Sequence, residues 1–347
     1  GLRQLGWLGW LGWLGCAEPA GGSCPGGGPH LVLTTTDLES GAVATVDPAT
    51  GCVADALASA GTDAIVRSGP YGVVIANRSS GDAIRRYAPG DYRVPVDEFV
   101  VERGGNVHDA VERDGDWWFT LYERDYVAVT GPDGAERDRI SLADHADADG
   151  LPEADRLIER AGGLFVGVQR LARADGFAPL DGRIVALDPP GGWWAVGPDP
   201  KLYPYPGDDE QIVALTGRFF EPDGALVVFD PATGGSTTVA TEAALGVDLD
   251  GFAGVGDRGV VLGVGFAVGD PSWIGCVDLV TGAVTDGITT DGWAFDAVAG
   301  DGLVYVAVRT GWGGSDRAVW SVDPATCAVE VLADGFALDP YGIAWVD

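Results

Sequence analysis

The chain has 347 residues, 46% of them hydrophobic, with 52 acidic against 21 basic side chains and a formal net charge of −31. That many aliphatic and aromatic groups exclude a disordered chain. The acid excess, with Lys201 the only lysine, excludes a nucleic-acid or anionic-membrane face built from cations, and it leaves many oxygen ligands for hard cations.

Residues 1–15 carry one cation, Arg3, and an apolar Leu-Gly-Trp tract that stops at Cys16. The tract is shorter than the roughly 20 apolar residues that span a bilayer. A charged start, a short apolar run and Gly15 directly before Cys16 resemble a bacterial lipoprotein signal peptide. The resemblance implies a lipidated Cys16 and an extracytoplasmic protein held to a bacterial membrane or cell surface by lipid alone. An ordinary secretory signal or an aromatic tail is the alternative. Residues 16–29 are rich in Gly and Pro and read as a flexible tether, so the folded body is 30–347. The other cysteines, Cys24, Cys52, Cys276 and Cys327, form an even set, which an exported chain can oxidise. A Cys24–Cys52 bridge would fasten the tether to the body, although spacing does not determine the pairing. No C-x-x-C occurs and the histidines are scattered, which argues against zinc.

The body opens with His30-Leu-Val-Leu-Thr-Thr35, a strand without a predecessor, and then repeats one phrase. Clear copies are Val46-Asp-Pro-Ala-Thr-Gly51, Leu187-Asp-Pro-Pro-Gly191, Phe229-Asp-Pro-Ala-Thr-Gly234, Val277-Asp-Leu-Val-Thr-Gly282 and Val322-Asp-Pro-Ala-Thr-Cys327. Degenerate copies are Tyr87-Ala-Pro-Gly90 and Thr130-Gly-Pro-Asp-Gly134, making seven at a period of about 40 to 56 residues, the range of propeller blades. Asp caps the turn, Pro sets φ and Gly takes the positive φ, so each phrase is a hairpin between short apolar runs. Two further strand-like runs precede each hairpin. Four short strands in each of seven units, with no helix period, predict an all-β, seven-bladed β-propeller of antiparallel blades. The chain finishes on Tyr341-Gly-Ile-Ala-Trp-Val346, an innermost strand, so both termini complete blade 1 and leave no open edge.

In these residues the chain resembles the bacterial YVTN/PQQ-type repeat propellers. The resemblance covers nearly all of residues 30–347 and speaks for architecture, since those families include binders, scaffolds and enzymes. The Trp docking motif of quinone-dependent dehydrogenases is not evident, and seven blades rather than eight also argue against a quinone.

No G-x-S-x-G, H-E-x-x-H or P-loop occurs, and no nucleotide is expected. Gly254-Val-Gly-Asp-Arg-Gly259 matches G-x-G-x-x-G but lies between strand-like runs and reads as a hairpin. A carboxylate recurs at the start of each innermost strand: Asp63, Asp109, Asp155, Asp250 and Asp296, with Asp199 as the blade 5 equivalent and Gly342 in the blade 1 position. Either each Asp caps its own loop, or the five converge at the channel mouth and hold a cation, for which Ca²⁺ has the right coordination number. A second cluster, with Asp147 and Asp149 before Gly150 and Asp155, resembles the Ca²⁺ loops of thrombospondin-type-3 repeats. His145 stands where the first Asp would be, so a solvated acidic loop is the alternative.

Loops on the upper face carry Phe177 in blade 4, Phe219 and Phe220 in blade 5, Trp273 in blade 6, and Trp293 and Trp312 in blade 7. Aromatic rings beside convergent polar groups suit a small-molecule or glycan pocket. The expected function is therefore a monomeric binding module that captures a small molecule, glycan or protein partner on this face. One alternative is a propeller lyase, lactonase or hydrolase that uses His108 with Asp109 and Glu112 as acid/base groups. Another is an assembly scaffold.

Overall fold

Seven four-stranded antiparallel sheets surround one axis, each built from consecutive strands except the first, which both ends of the body share, and the fourth, in which a small hairpin pairing Leu171–Ala172 with Ala178–Pro179 separates the second and third strands. The structure, a computed structural model, describes residues 24, 28–70, 72–78, 81–310 and 317–347. The signal-like segment 1–15, Cys16, most of the tether and Trp312 lie outside the described residues. The innermost strands are Asp339–Val346, Ile65–Gly69, Val107–Arg113, Ala154–Arg160, Lys201–Pro204, Asp248–Val255 and Trp293–Gly300, for blades 1 to 7 in turn. Blade 1 joins the two ends of the body, with His30–Thr36 antiparallel to Asp339–Val346 and Leu31 opposite Trp345. The ring therefore closes by strand pairing and has no edge at the junction.

All seven repeated phrases connect the third and outermost strands of a blade, as expected. Their geometry is local. Asp47 Oδ1 accepts from the Ala49 N–H at 2.8 Å, and Asp230, Asp278 and Asp323 do the same two residues on. The N–H of Gly51, Gly234, Gly282 and Cys327 each donates to the carbonyl of its turn's Asp at 2.8 Å. Those four residues have φ between 58° and 72°, so Cys327 holds a left-handed position that its sister turns give to glycine. Its sulfur is bonded to Cys276 in the third strand of blade 6, a bridge between blades 6 and 7. Cys24 pairs with Cys52, the pairing that would fasten the tether.

Middle strands are buried on both faces, which is why they read as continuous apolar runs. In His30–Thr36, Leu31 and Leu33 pack toward blade 7 while Val32 packs toward blade 2. The core is accordingly seven clusters, one in each interface between neighbouring blades. Among the described residues no helix is long and apolar enough to cross a membrane.

Candidate functional site

The upper mouth of the central channel is shaped by irregularities in strand register. Where Val107 pairs with Leu121 and Asp109 with Thr120, His108 is left over. Asp250 is the extra residue between Leu249 and Gly251, and Phe295 between Ala294 and Asp296. Asp155 and Arg156 fall in the shift between Ala154 and Leu157, and Tyr341 and Gly342 in the shift of blade 1. All seven of these residues line one cavity of about 230 Å³, with Arg67, Arg78, Gln169, Lys201 and Asp296. A bulge bends its strand and re-aims the extra side chain. Here five bulges turn polar and aromatic side chains into the channel.

The cavity has two unlike sides. One is aromatic: Phe295 stacks on Tyr341 with centroids 4.3 Å apart and meets Trp293 edge-on at 5.4 Å. On the other, charges alternate in sign. Lys201 Nζ donates to Asp250 Oδ1 at 2.8 Å, and Asp250 Oδ2 also accepts from Trp293 Nε1 at 3.1 Å. Arg156 lies 3.6 Å from Asp296 and 4.4 Å over the Tyr203 ring. Arg67 pairs with Asp109, and Arg78 lies 3.5 Å from Asp63.

The His108 Nδ1–H donates to Asp155 Oδ1 at 3.0 Å, and its ring stacks on Tyr122 with centroids 4.0 Å apart. Nε2 is left to accept from Arg78 at 3.4 Å. The partner of His108 thus comes from the next blade, not from its sequence neighbours. Asp109 is occupied by Arg67 and by the Leu157 N–H at 2.8 Å, and Glu112 lies further along the strand against Gly69.

The structure therefore brings Asp155, Asp250 and Asp296 to the cavity wall, with Asp109 and Asp63 paired behind it, and gives each a cationic or imidazole partner. Among the described residues no group of three or more His, Cys, Asp or Glu is placed to hold a metal ion. Asp147 and Asp149 sit apart in an exposed loop. Asp147 Oδ1 accepts from the Asp149 N–H, Asp149 Oδ1 accepts from the Leu151 N–H, and Arg173 lies 3.6 Å from Asp149. Of the aromatic loop residues, Trp293 reaches the mouth and Phe219 lines a small recess beside Asp199 and Lys201. Phe220 packs against Phe219, Phe177 is exposed near Arg173, and Trp273 packs on the core between blades 5 and 6. The residues that sequence patterning missed are the cations Arg67, Arg78, Arg156 and Lys201, and the stacked Phe295 and Tyr341. One signal was available: Lys201 is the only lysine.

Burial and charge set the protonation states around this mouth. Burial opposes ionisation of Asp155, but the hydrogen bond from His108, with Arg156 and Lys201 nearby, holds its carboxyl below the ordinary value. Asp199, with one oxygen buried and without a hydrogen-bond partner, is pushed up to about 6 by burial despite Lys201. Burial works against the Lys201 charge too, yet Asp250, Tyr203 and Asp199 keep the ammonium above its normal pKa.

Beside the recess, Glu242 and Asp248 are buried and share a hydrogen bond. Burial raises both, Glu242 to about 7. A raised carboxyl is protonated more readily folded than unfolded, so its stabilising effect is complete below about pH 4 and is lost as pH rises through the folded value. The expected result is a melting temperature that rises as pH falls from 8 to 5, with a contribution on the order of 2 kcal/mol from this pair. Asp248→Asn, which imitates the protonated pair, should flatten the dependence. An unchanged slope in that variant would show that the overall negative charge, and not the pair, is responsible.

The fold and the site define a seven-bladed β-propeller with an ion-paired, half-aromatic channel mouth. No family model matches the chain, and no curated protein matches it in sequence. Solved structures of the same fold are similar to it. A putative 6-phosphogluconolactonase from Bacteroides fragilis matches at 14% identity over 92% of this chain and 98% of that one, with a TM-score of 0.63. A virginiamycin B lyase from Staphylococcus aureus matches at 15% identity over 80% and 87%, with a TM-score of 0.57. Apo AztD from Citrobacter koseri matches at 12% identity over 92% and 98%, with a TM-score of 0.54. At these identities the likeness is one of fold.

Proposed function

We propose that this propeller is a binding module that takes a small, ring-bearing molecule with an acidic group into the upper mouth of its channel. One observation carries the proposal: in a chain of net charge −31, four cations converge around a 230 Å³ cavity that also presents the stacked Phe295–Tyr341 pair. Alternating charges orient a polar ligand, and the aromatic side receives its ring. The carboxylates here already have partners, so the proposal needs no calcium. Two disulfides favour an oxidising compartment. With the signal-like segment, they support capture at the surface of a bacterial membrane to which Cys16 anchors the chain.

A panel of aromatic acids, amino acids and lactones, screened by melting shift and then by calorimetry, tests this. Arg156→Gln should weaken the best compound at least about 10-fold, roughly 1.4 kcal/mol. An affinity unchanged in that variant would remove the ligand from the channel.

A second reading rests on the His108–Asp155 pair. An imidazole oriented by a carboxylate, at the wall of a cavity, is the arrangement of a general acid or base. The putative 6-phosphogluconolactonase among the similar folds makes lactones the compounds to assay for turnover. His108→Gln abolishes turnover with little loss of affinity if the site is catalytic.

A further inference from the structure

Among the described residues, the most buried lysine or arginine is also one without a counter-charge. Arg309 is 8% exposed, and among those residues it forms neither an ion pair nor a hydrogen bond. Arg67, Arg78, Arg156 and Lys201, the cations around the channel cavity, each have a carboxylate within 3.6 Å. Arg309 pairs with Trp293 in the register of blade 7, at the upper end of the blade where its innermost strand begins. Its guanidinium carbon lies 5.7 Å from the Trp293 ring centre and 5.5 Å from those of Phe295 and Tyr341. These last two rings are stacked and form the aromatic wall of the cavity.

The surroundings of Arg309 enclose Nε, which has no partner, whereas the two Nη groups, equally unpartnered, are not closed off. Aromatic faces offset part of the cost of burying a cation. A buried charge left unpaired is nonetheless strongly unfavourable, so an anion has more to gain here than beside any of the four paired cations. The open Nη pair presents two parallel N–H donors, and that planar fork matches the two oxygens of a carboxylate. One uncompensated positive charge is balanced by one negative charge.

We propose, on the reading of the mouth as a binding site, that Arg309 receives the acidic group of the ligand and that the ligand is a ring-bearing monocarboxylate. Its carboxylate pairs with the Nη fork at the rim of the aromatic wall, and its ring lies on Phe295 and Tyr341.

The test is calorimetry of the full chain with benzoate, phenylacetate and 3-phenylpropionate, with the amides of these acids, and with phenyl phosphate, at pH 7.5 and constant ionic strength. At least one acid is expected to bind saturably and at least about 10-fold more tightly than its amide. Arg309→Met should erase that preference. Arg309→Lys, which keeps the charge and gives up the fork, should weaken the acid yet keep the preference, and Arg156→Gln should weaken acid and amide alike. A binder without a carboxylate from the panel above, with none of these acids bound, overturns this inference and leaves the mouth a binding site. No binder of either kind overturns both. A preference for the acid that survives in Arg309→Met overturns the residue assignment, and where that variant does not fold, wild-type affinity in Arg309→Lys overturns the fork. Phenyl phosphate bound more tightly than every carboxylate overturns the class of anion.

Discussion

Lys201→Met should destabilise the protein by about 2–4 kcal/mol at pH 7.5, because it removes one member of a largely buried ion pair and leaves the other behind. Asp250 would lose its 2.8 Å partner. Asp199, which already has a buried oxygen without a hydrogen bond, would lose the positive charge that counters its burial. The loss has a pH signature. With Lys201 gone, Asp199 shifts further upward and takes up a proton more readily in the folded state, so the deficit against wild type should shrink as pH falls toward 5. Urea unfolding of the two proteins at pH 7.5 and pH 5 reads this directly, and Lys201→Arg should recover most of the loss. A deficit that is the same at both pH values would assign the effect to packing of the lysine stem instead.

The second large effect belongs to the bridge between blades 6 and 7. Changing Cys276 and Cys327 together to serine should cost about 4 kcal/mol, the chain-entropy value for a closed loop of 51 residues. Cys327 also holds a positive φ, which serine tolerates no better, so that backbone term cancels between the two proteins. Thermal unfolding with and without reductant provides the comparison. The wild type in reductant should approach the double variant, and the variant should not respond beyond what reduction of Cys24–Cys52 accounts for. A wild type indifferent to reductant, with the bridge verified as reduced, would show that the interblade core alone carries the junction. That core is itself extensive, since Val260, Leu262, Val306 and Trp320 meet in it.

Both effects depend on contacts between blades, and this is where sequence and structure divide. The hairpins were legible because their chemistry is local: an Asp side chain reaches an N–H two residues on, and a glycine takes a positive φ. The closure of blade 1 was legible for a related reason, since two strands without partners at the ends of a repeat must find each other.

The mouth of the channel was half legible. Its carboxylates recur at one position in the repeat and stood out. Their partners did not, because Asp155 meets His108 47 residues away and Asp250 meets Lys201 49 residues away, each in a neighbouring blade. The bulges were hidden as well. One extra residue shifts the alternation of inward and outward side chains, so His108, Asp250 and Phe295 face the channel where a regular strand would turn them away.

The sequence by itself thus determined the number of blades, their turns and the closure of the ring, because these follow from short-range backbone chemistry repeated seven times. Only the tertiary structure decided which charges pair and which side chains enter the channel. Those outcomes depend on distances between residues far apart in the chain, and burial then fixes their protonation and their strength.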